Sequence, residues 1–133
     1  PIDVAMDVNG KRKEIPTTKL PTENSILDVG KETAAKYAEL IGKAKSIVVS
    51  GPMGVYERKE FNYGTKTVLQ AIAGSKAFSL AGGGNTIAAI QEYDLTKKVG
   101  YISTAGGALI EFLMGKKLPG VVALENAVKA KKI

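Results

Sequence analysis

The chain has 133 residues, of which 44% are hydrophobic and 24% charged, so it is long enough for one globular domain with a buried core. It contains no cysteine and no histidine, which excludes disulfides, thiol nucleophiles, histidine-based triads and the usual zinc sites. Any metal would be a hard cation on oxygen ligands, and the net charge of +6 favours anionic ligands such as phosphates.

The first third of the chain is predicted to contain one strand, one long loop and one helix. Residues 2–8 ("IDVAMDV") alternate apolar and acidic side chains, as a strand does. Residues 9–25 ("NGKRKEIPTTKLPTENS") contain two prolines and many polar side chains and are predicted to be loop. From Lys31, the sequence "KETAAKYAELIGKA" places apolar residues at helical spacing and predicts an amphipathic helix.

The remainder repeats a short apolar strand, a glycine-rich turn and a helix. The strands are predicted at residues 46–49, 77–81 and 99–104. The helices are predicted at residues 64–75, 85–93 and 108–115, and a last helix begins at Pro119. The first of these strands, "SIVV", is of the kind buried on both faces, and Phe112 and Met114 have core spacing. Three such units in succession predict an α/β fold: a three-layer, Rossmann-like parallel sheet.

The three glycine-rich turns occupy one edge of the predicted sheet, beyond the carboxyl ends of the strands, where α/β proteins bind ligands. They lie at residues 51–54, 82–84 and 106–107. Bare backbone at the start of a helix offers N–H groups and a positive dipole end to an anion, usually a phosphate. Glycine can also serve the turn alone, but three such turns on one edge favour a phosphate-bearing ligand. The dinucleotide fingerprint and the Walker A motif are both absent.

The turns, taken with their neighbours, resemble a known family. The motifs "ILDVG", "SGPMGVYE", "GT" at residues 64–65, "GGGNT" and "ISTAGGALIEFLMGKKLPGVVAL" resemble, in this order, the second half of the C-terminal domain of phosphoglycerate kinases. The resemblance covers about residues 1–124. It implies a cytoplasmic, glycolytic kinase that interconverts 1,3-bisphosphoglycerate and ADP with 3-phosphoglycerate and ATP, using magnesium. Such chemistry needs positioning and charge neutralisation more than a titrating base, so the missing histidine and cysteine are no obstacle.

The resemblance implies a nucleoside site on the first turn. Leu27 matches an apolar wall of the base pocket, and Pro52 and Val55 match positions beside the base and ribose. Glu57 matches the carboxylate that accepts hydrogen bonds from the ribose hydroxyls. Gly51 is expected to bind the nucleotide with them.

The other two turns are implied to hold the phosphates. The loop and hydroxyl at the nucleotide phosphates correspond to Gly82, Gly83, Gly84 and Thr86. Gly106 and Gly107 match the helix N-terminus that faces the phosphoryl group in flight. Asn85 stands where the family has a magnesium-binding aspartate, and its amide brings no negative charge, so we expect weaker metal binding.

Two more departures from the family's pattern lie beside these turns. Ser50 stands where the family commonly has asparagine, a longer donor near the phosphates. Ala105 replaces a glycine, and it would be strained if its φ were positive. Asp28, in "LDVG", is predicted to be a cap rather than a ligand.

The resemblance covers only part of the family's architecture. The glycerate-binding N-terminal domain is missing. So are the first two strands of the nucleotide domain, which are expected between the strands at residues 2–8 and 46–49. Residues 1–133 are therefore expected to be a partial C-terminal domain, inactive alone, whose partners are a nucleotide and the missing parts of the same protein. Its sheet would contain a gap, unless the N-terminal segment packs differently. The first residue, Pro1, is not a methionine, which also suggests a fragment.

Other functions stay open at this point. One is a non-catalytic α/β module that binds a nucleotide or phosphate for regulation. Another is a nucleic-acid-binding domain, but the densest basic cluster is the tail "KAKKI" and aromatic residues make up only 6% of the chain. A membrane partner is not expected, because no apolar run approaches the ~20 residues of a membrane span and no signal peptide is recognisable.

Overall fold

The computed structural model describes residues 1–130, so the last three residues of the basic tail lie outside the described part. Its strands are β1 (Asp3–Val8), β2 (Lys11–Pro16), β3 (Ile26–Val29), β4 (Ser46–Ser50), β5 (Phe78–Gly82) and β6 (Tyr101–Ser103). Its α-helices are α1 (Lys31–Lys43), α2 (Tyr63–Gly74), α3 (Gly84–Glu92), α4 (Gly107–Leu113) and α5 (Pro119–Ala130). None of these helices has the length and apolar character needed to cross a membrane.

Two separate three-stranded sheets organise these elements. An antiparallel sheet has the order β2-β1-β3, and a parallel sheet has the order β4-β5-β6. The predicted α/β class and its Rossmann-like parallel sheet are confirmed, because the three repeating units form that sheet and its helices. Of the two arrangements expected for the first strand, the structure has the one in which the N-terminal segment packs outside the parallel sheet. β1 lies at the centre of the antiparallel sheet, so no gap separates it from β4 in a common sheet.

The antiparallel sheet contains a hairpin where a loop was predicted. Asn9 and Gly10 both have positive φ, 52° and 80°, as the central residues of a type I′ turn do. The Gly10 N–H donates to Asp7 Oδ1 at 2.7 Å. β1 and β2 then pair from Val8 opposite Lys11 to Asp3 opposite Pro16. The prediction of loop over residues 9–25 is therefore wrong for β2. This polar segment forms a strand because its backbone pairs with β1.

α1 is capped by a residue from another element. Asp3 is buried, and its carboxylate accepts the N–H of Thr33 at 2.7 Å and that of Glu32 at 3.2 Å. Gly30, the residue before α1, leaves room for the Asp3 carboxylate, because a Cβ on Gly30 would overlap it. Burial by itself raises the pKa of Asp3, but the hydrogen bonds from Thr33 and Glu32 outweigh it and hold that pKa below its ordinary value.

α2 and α3 cover one face of the parallel sheet. The buried apolar core on this side contains Val49, Tyr56, Val68, Leu69, Ile72, Ala81, Ala89, Ile90 and Leu95. These residues come from β4, β5, both helices and the segments around them, so the predicted strand–turn–helix units pack as expected for a parallel sheet.

The opposite face of the parallel sheet is largely open. Val48, Phe78 and Tyr101 are 54%, 60% and 59% exposed. α4 covers only the carboxyl end of β5, where the Leu109 side chain fills the space that a Cβ on Gly82 would need. The prediction that residues 46–49 are buried on both faces is therefore wrong. The core positions predicted for Phe112 and Met114 are also wrong, because both side chains are about two-thirds exposed.

Candidate functional site

The three glycine turns meet at the carboxyl edge of the parallel sheet. Ser50 pairs with Gly82, and Gly82 pairs with Ser103, so the three strands end in register. Each turn contains one glycine with positive φ: 106° at Gly51, 89° at Gly83 and 56° at Gly106. Ala105 is not among the residues with positive φ, so the strain considered for it does not arise.

The first turn, residues 51–55, is held in place by hydrogen bonds that its backbone N–H groups donate to other parts of the protein. The Gly51 N–H donates to Thr86 Oγ1 at 2.6 Å. The N–H groups of Met53 and Gly54 donate to Thr65 Oγ1 at 3.1 and 3.3 Å. The Val55 N–H donates to the Leu27 carbonyl at 2.8 Å, and Pro52 has no N–H. Every donor of this turn is therefore engaged within the protein, and none faces an anion.

The second turn has the opposite character. α3 begins at Gly84 and has no side-chain cap at Gly83. The N–H groups of Gly84 and Asn85 donate to no acceptor within residues 1–130, and both residues are exposed. Unpaired N–H groups and the positive end of the helix dipole make this turn suitable for an anion. Gly82 lies below it in β5, buried, where the absence of a Cβ makes room for Leu109.

Thr86 connects the first two turns. It lies in the first turn of α3 and is only 1% exposed, and its hydroxyl accepts the Gly51 N–H. Its side chain thus faces the protein interior rather than the open side of the turn. The hydrogen bond fixes the distance between the two glycine turns.

The third turn resembles the second in its donors. Gly106 precedes α4, and the N–H groups of Gly106 and Gly107 have no acceptor among the described residues. Ser103 supports the turn, since its Oγ accepts the Ala105 N–H at 3.2 Å. The second and third turns therefore present unpaired backbone donors on neighbouring strands.

Beside the first turn lies an open cavity of about 300 Å³. It brings together three residues expected around the base, namely Leu27, Pro52 and Val55. The other residues that line it are Val4, Ile26, Asp28, Val29, Met53 and Gly54. The turn approaches β3 closely here, because a Cβ on Gly54 would lie 2.5 Å from the Leu27 carbonyl oxygen. An apolar cavity of this size suits a planar heterocycle.

Glu57 is outside the lining of the cavity but is held two residues beyond it. Its side chain is exposed, whereas its neighbours are anchored. Tyr56 is buried in the core, and burial is the main cause that raises the pKa of its hydroxyl, with the Glu57 and Glu92 charges adding to it. On the other side, Arg58 Nη1 donates to Asp7 Oδ2 at 2.8 Å. The backbone at Glu57 is thus held on both sides, and its side chain is exposed to solvent.

Two residues support this site, and the sequence predicted the role of only one of them. The Asp28 carboxylate is fully buried and accepts the Gly64 N–H at 2.9 Å, so it is the cap that was predicted, here for α2. Arg12, within the predicted loop, donates to Asp28 Oδ2 and to the Val29 carbonyl, both at 2.8 Å. The signal that could have placed Arg12 is the Asn9–Gly10 pair, which is typical of a hairpin.

The magnesium expected from the family resemblance has one candidate ligand here. Residues 1–130 contain no group of three or more histidine, cysteine, aspartate or glutamate side chains that could hold a metal. Asn85 is exposed at the start of α3, and its amide oxygen accepts no hydrogen bond from residues 1–130. An amide oxygen is a ligand that a hard cation accepts, so Asn85 is the residue at these turns that could hold magnesium, where it would help to neutralise phosphate charge.

The sequence of residues 1–116 matches the family described as phosphoglycerate kinase. The chain belongs to this family. Two solved structures of phosphoglycerate kinases are similar to it. The enzyme from Pyrococcus horikoshii is 46% identical, with a TM-score of 0.83 over 97% of this chain. The enzyme from Coxiella burnetii is 42% identical, with a TM-score of 0.81 over 87% of this chain. This chain covers only 33% and 31% of those two kinases.

Proposed function

We propose that this chain is the nucleotide-binding portion of a phosphoglycerate kinase, a partial C-terminal domain that binds ADP or ATP. The reaction of the whole protein is phosphoryl transfer between 1,3-bisphosphoglycerate and ADP, giving 3-phosphoglycerate and ATP. The observation that carries the proposal is the side-by-side arrangement of an apolar cavity and a turn with unpaired N–H groups, joined by the Thr86–Gly51 hydrogen bond.

The nucleoside binds on the side of the first turn. The base enters the cavity between Leu27, Pro52 and Val55, where burial of its apolar faces provides affinity. Glu57, held at the rim by its anchored neighbours, accepts hydrogen bonds from the ribose hydroxyls. Gly51 contributes through its positive φ and its bond to Thr86 rather than by donating to the ligand.

The phosphates bind at the second turn. The backbone of Gly83 and Gly84, with the unpaired N–H groups at the start of α3, surrounds the phosphate oxygens. Thr86 holds this turn at the correct distance from the nucleoside cavity, and Gly82 allows α4 to pack against the same strand end. Magnesium, when bound, neutralises phosphate charge, and Asn85 is the residue of this chain that would hold it.

The transferred phosphoryl group faces the third turn. The N–H groups of Gly106 and Gly107 point their partial positive charge at the site where negative charge accumulates during transfer. No residue of this chain needs to act as a base, since positioning and electrostatic stabilisation are what phosphoryl transfer requires. The glycerate substrate would be bound by parts of the kinase outside this chain, which spans about a third of its matched relatives.

The proposal is tested by calorimetric titration of ADP into the 133-residue chain and a Glu57→Gln variant. The variant should bind about fivefold or more weakly, because a charge-assisted hydrogen bond to the ribose is lost. Glu60→Gln is the matched control, an exposed carboxylate three residues further on, and it should bind like the parent. Equal affinities for parent and Glu57→Gln would remove Glu57 from the site. A chain that binds inorganic phosphate but neither ADP nor adenosine would favour a phosphate-binding module instead.

A further inference from the structure

We propose that Thr65 is the positioning residue of the nucleoside half of the site, and that it acts on base and ribose binding without acting on phosphate binding. This inference rests on the proposed function and divides its site into two halves, which the Gly51–Thr86 hydrogen bond joins and of which Thr65 supports only the first. The first turn, whose donors are all engaged internally, serves the nucleoside only. The start of α3 serves the phosphates.

Thr65 lies in the first turn of α2 and is 1% exposed. Its single Oγ1 accepts two N–H groups of the first turn, those of Met53 and Gly54. These two residues line the nucleoside cavity, whereas Thr65 does not. Thr65 therefore contacts Met53 and Gly54 without lining the nucleoside cavity itself. It can affect a ligand in this cavity only by positioning these two residues.

The position of Thr65 is itself fixed from β3. The preceding residue, Gly64, donates its N–H to the buried Asp28 carboxylate. A Cβ on Gly64 would overlap that carboxylate, so α2 approaches β3 as closely as a glycine allows. β3 also provides Leu27, the opposite wall of the cavity, which accepts the Val55 N–H. Asp28 and Thr65 thus set the two walls of the cavity relative to each other.

The experiment compares Thr65→Val, Thr65→Ser and Thr67→Val with the parent chain. Valine keeps the shape of threonine but removes the acceptor, and serine keeps the acceptor. Thr67 is the matched control, a part-buried threonine on the same helix whose hydroxyl makes no hydrogen bond within residues 1–130. NMR titrations with ADP, adenosine and inorganic pyrophosphate give the affinities for the whole ligand, the nucleoside and the phosphates.

Thr65→Val should lower the affinities for ADP and for adenosine by the same factor, about tenfold, and leave the affinity for pyrophosphate unchanged. Thr65→Ser and Thr67→Val should bind all three probes like the parent. An equal loss for adenosine and pyrophosphate would overturn the inference, because it would show a general loss of structure. Unchanged adenosine affinity in a folded Thr65→Val chain would also overturn it.

Amide hydrogen exchange tests the same contact without a nucleotide. In the parent chain the Met53 and Gly54 amides should exchange slowly, and those of Gly84 and Asn85 rapidly. Thr65→Val should accelerate the first pair selectively, and Thr65→Ser should restore their protection. Rapid exchange of Met53 and Gly54 in the parent would overturn the role of Thr65. If the parent chain binds no ADP, the proposed function is contradicted, while the exchange rates still decide whether Thr65 holds the turn.

Discussion

Replacing Asn85 by aspartate should make ADP binding strongly dependent on magnesium. Asn85 is exposed at the second turn, beside N–H groups that have no partner in the described chain. Without metal, the new carboxylate repels a phosphate: at a separation of about 5 Å in water the cost is about 0.8 kcal/mol per charge pair. The dipole of α3 offsets none of this repulsion, because it favours the carboxylate equally in the free and bound states. We therefore expect metal-free ADP to bind about fourfold more weakly.

With magnesium the sign reverses. The carboxylate supplies a negative oxygen ligand to a hard cation where the parent has only an amide, so Mg-ADP should bind about fivefold or more tightly than to the parent chain. Calorimetric titrations in magnesium and in a chelator measure both effects. Asn126→Asp, an exposed change on α5 with the same charge, is the control and should alter neither affinity appreciably. Equal Mg-ADP affinities of Asn85→Asp and parent would refute the reasoning and leave Asn85 without a ligand role.

Three further outcomes are expected. Asp3→Asn should lower the free energy of unfolding at pH 7 by about 1–2 kcal/mol, since it weakens the cap of α1. Folding lowers the pKa of Asp3 from its ordinary value of 3.8, so the stabilisation by the Asp3 carboxylate is fully present above pH 3.8. It is lost as the pH falls through the lower pKa of the folded chain. The denaturation curves of parent and variant should therefore converge in acid. Gly54→Ala should lower the free energy of unfolding by about 1–3 kcal/mol, because its Cβ would lie 2.5 Å from the Leu27 carbonyl oxygen. Gly42→Ala is the control and should not destabilise the chain, because the space around Gly42 is open. Equal melting temperatures for the two variants would contradict the close approach of Gly54 to β3. In a coupled assay with 3-phosphoglycerate and ATP, the 133-residue chain should show no turnover, and a rate near that of ordinary kinases would disprove its dependence on the rest of the protein.

The repeating strand–turn–helix units could be predicted from sequence because their signals are local. Residues 46–49, 77–81 and 99–104 are short apolar runs, each followed by glycine and a helical pattern, and each forms a strand of the parallel sheet. The hairpin was missed because β2 is polar, ends at Pro16 and is followed by Pro21, and these features outweighed the Asn9–Gly10 signal. An apolar pattern also does not reveal what covers it. Val48 and Phe78 have the sequence character of buried residues, yet no element of residues 1–130 covers them.

The meeting of the three glycine turns at one sheet edge was predictable, but which of their N–H groups are unpaired was not. Three glycine turns on one sheet edge follow from the parallel topology alone. Whether a turn's N–H groups are available depends on Thr65 and Thr86, which lie 12 and 35 residues away from the groups they bind. Such long-range partners are fixed by packing of α2 and α3 against the sheet. The glycine pattern therefore favoured a phosphate-bearing ligand for the edge as a whole, but it did not reveal that the first turn has no unpaired donor.

The measurement that tests the account most directly is an amide NMR titration of the isotope-labelled 133-residue chain with ADP. We expect two groups of shifted amides: Leu27, Val55 and Glu57 around the nucleoside, and Gly83, Gly84 and Asn85 at the phosphates. Adenosine should shift the first group only, and pyrophosphate the second group only. ADP binding that leaves both groups unshifted, or that shifts only residues of the open sheet face such as Phe78 and Tyr101, would contradict the account.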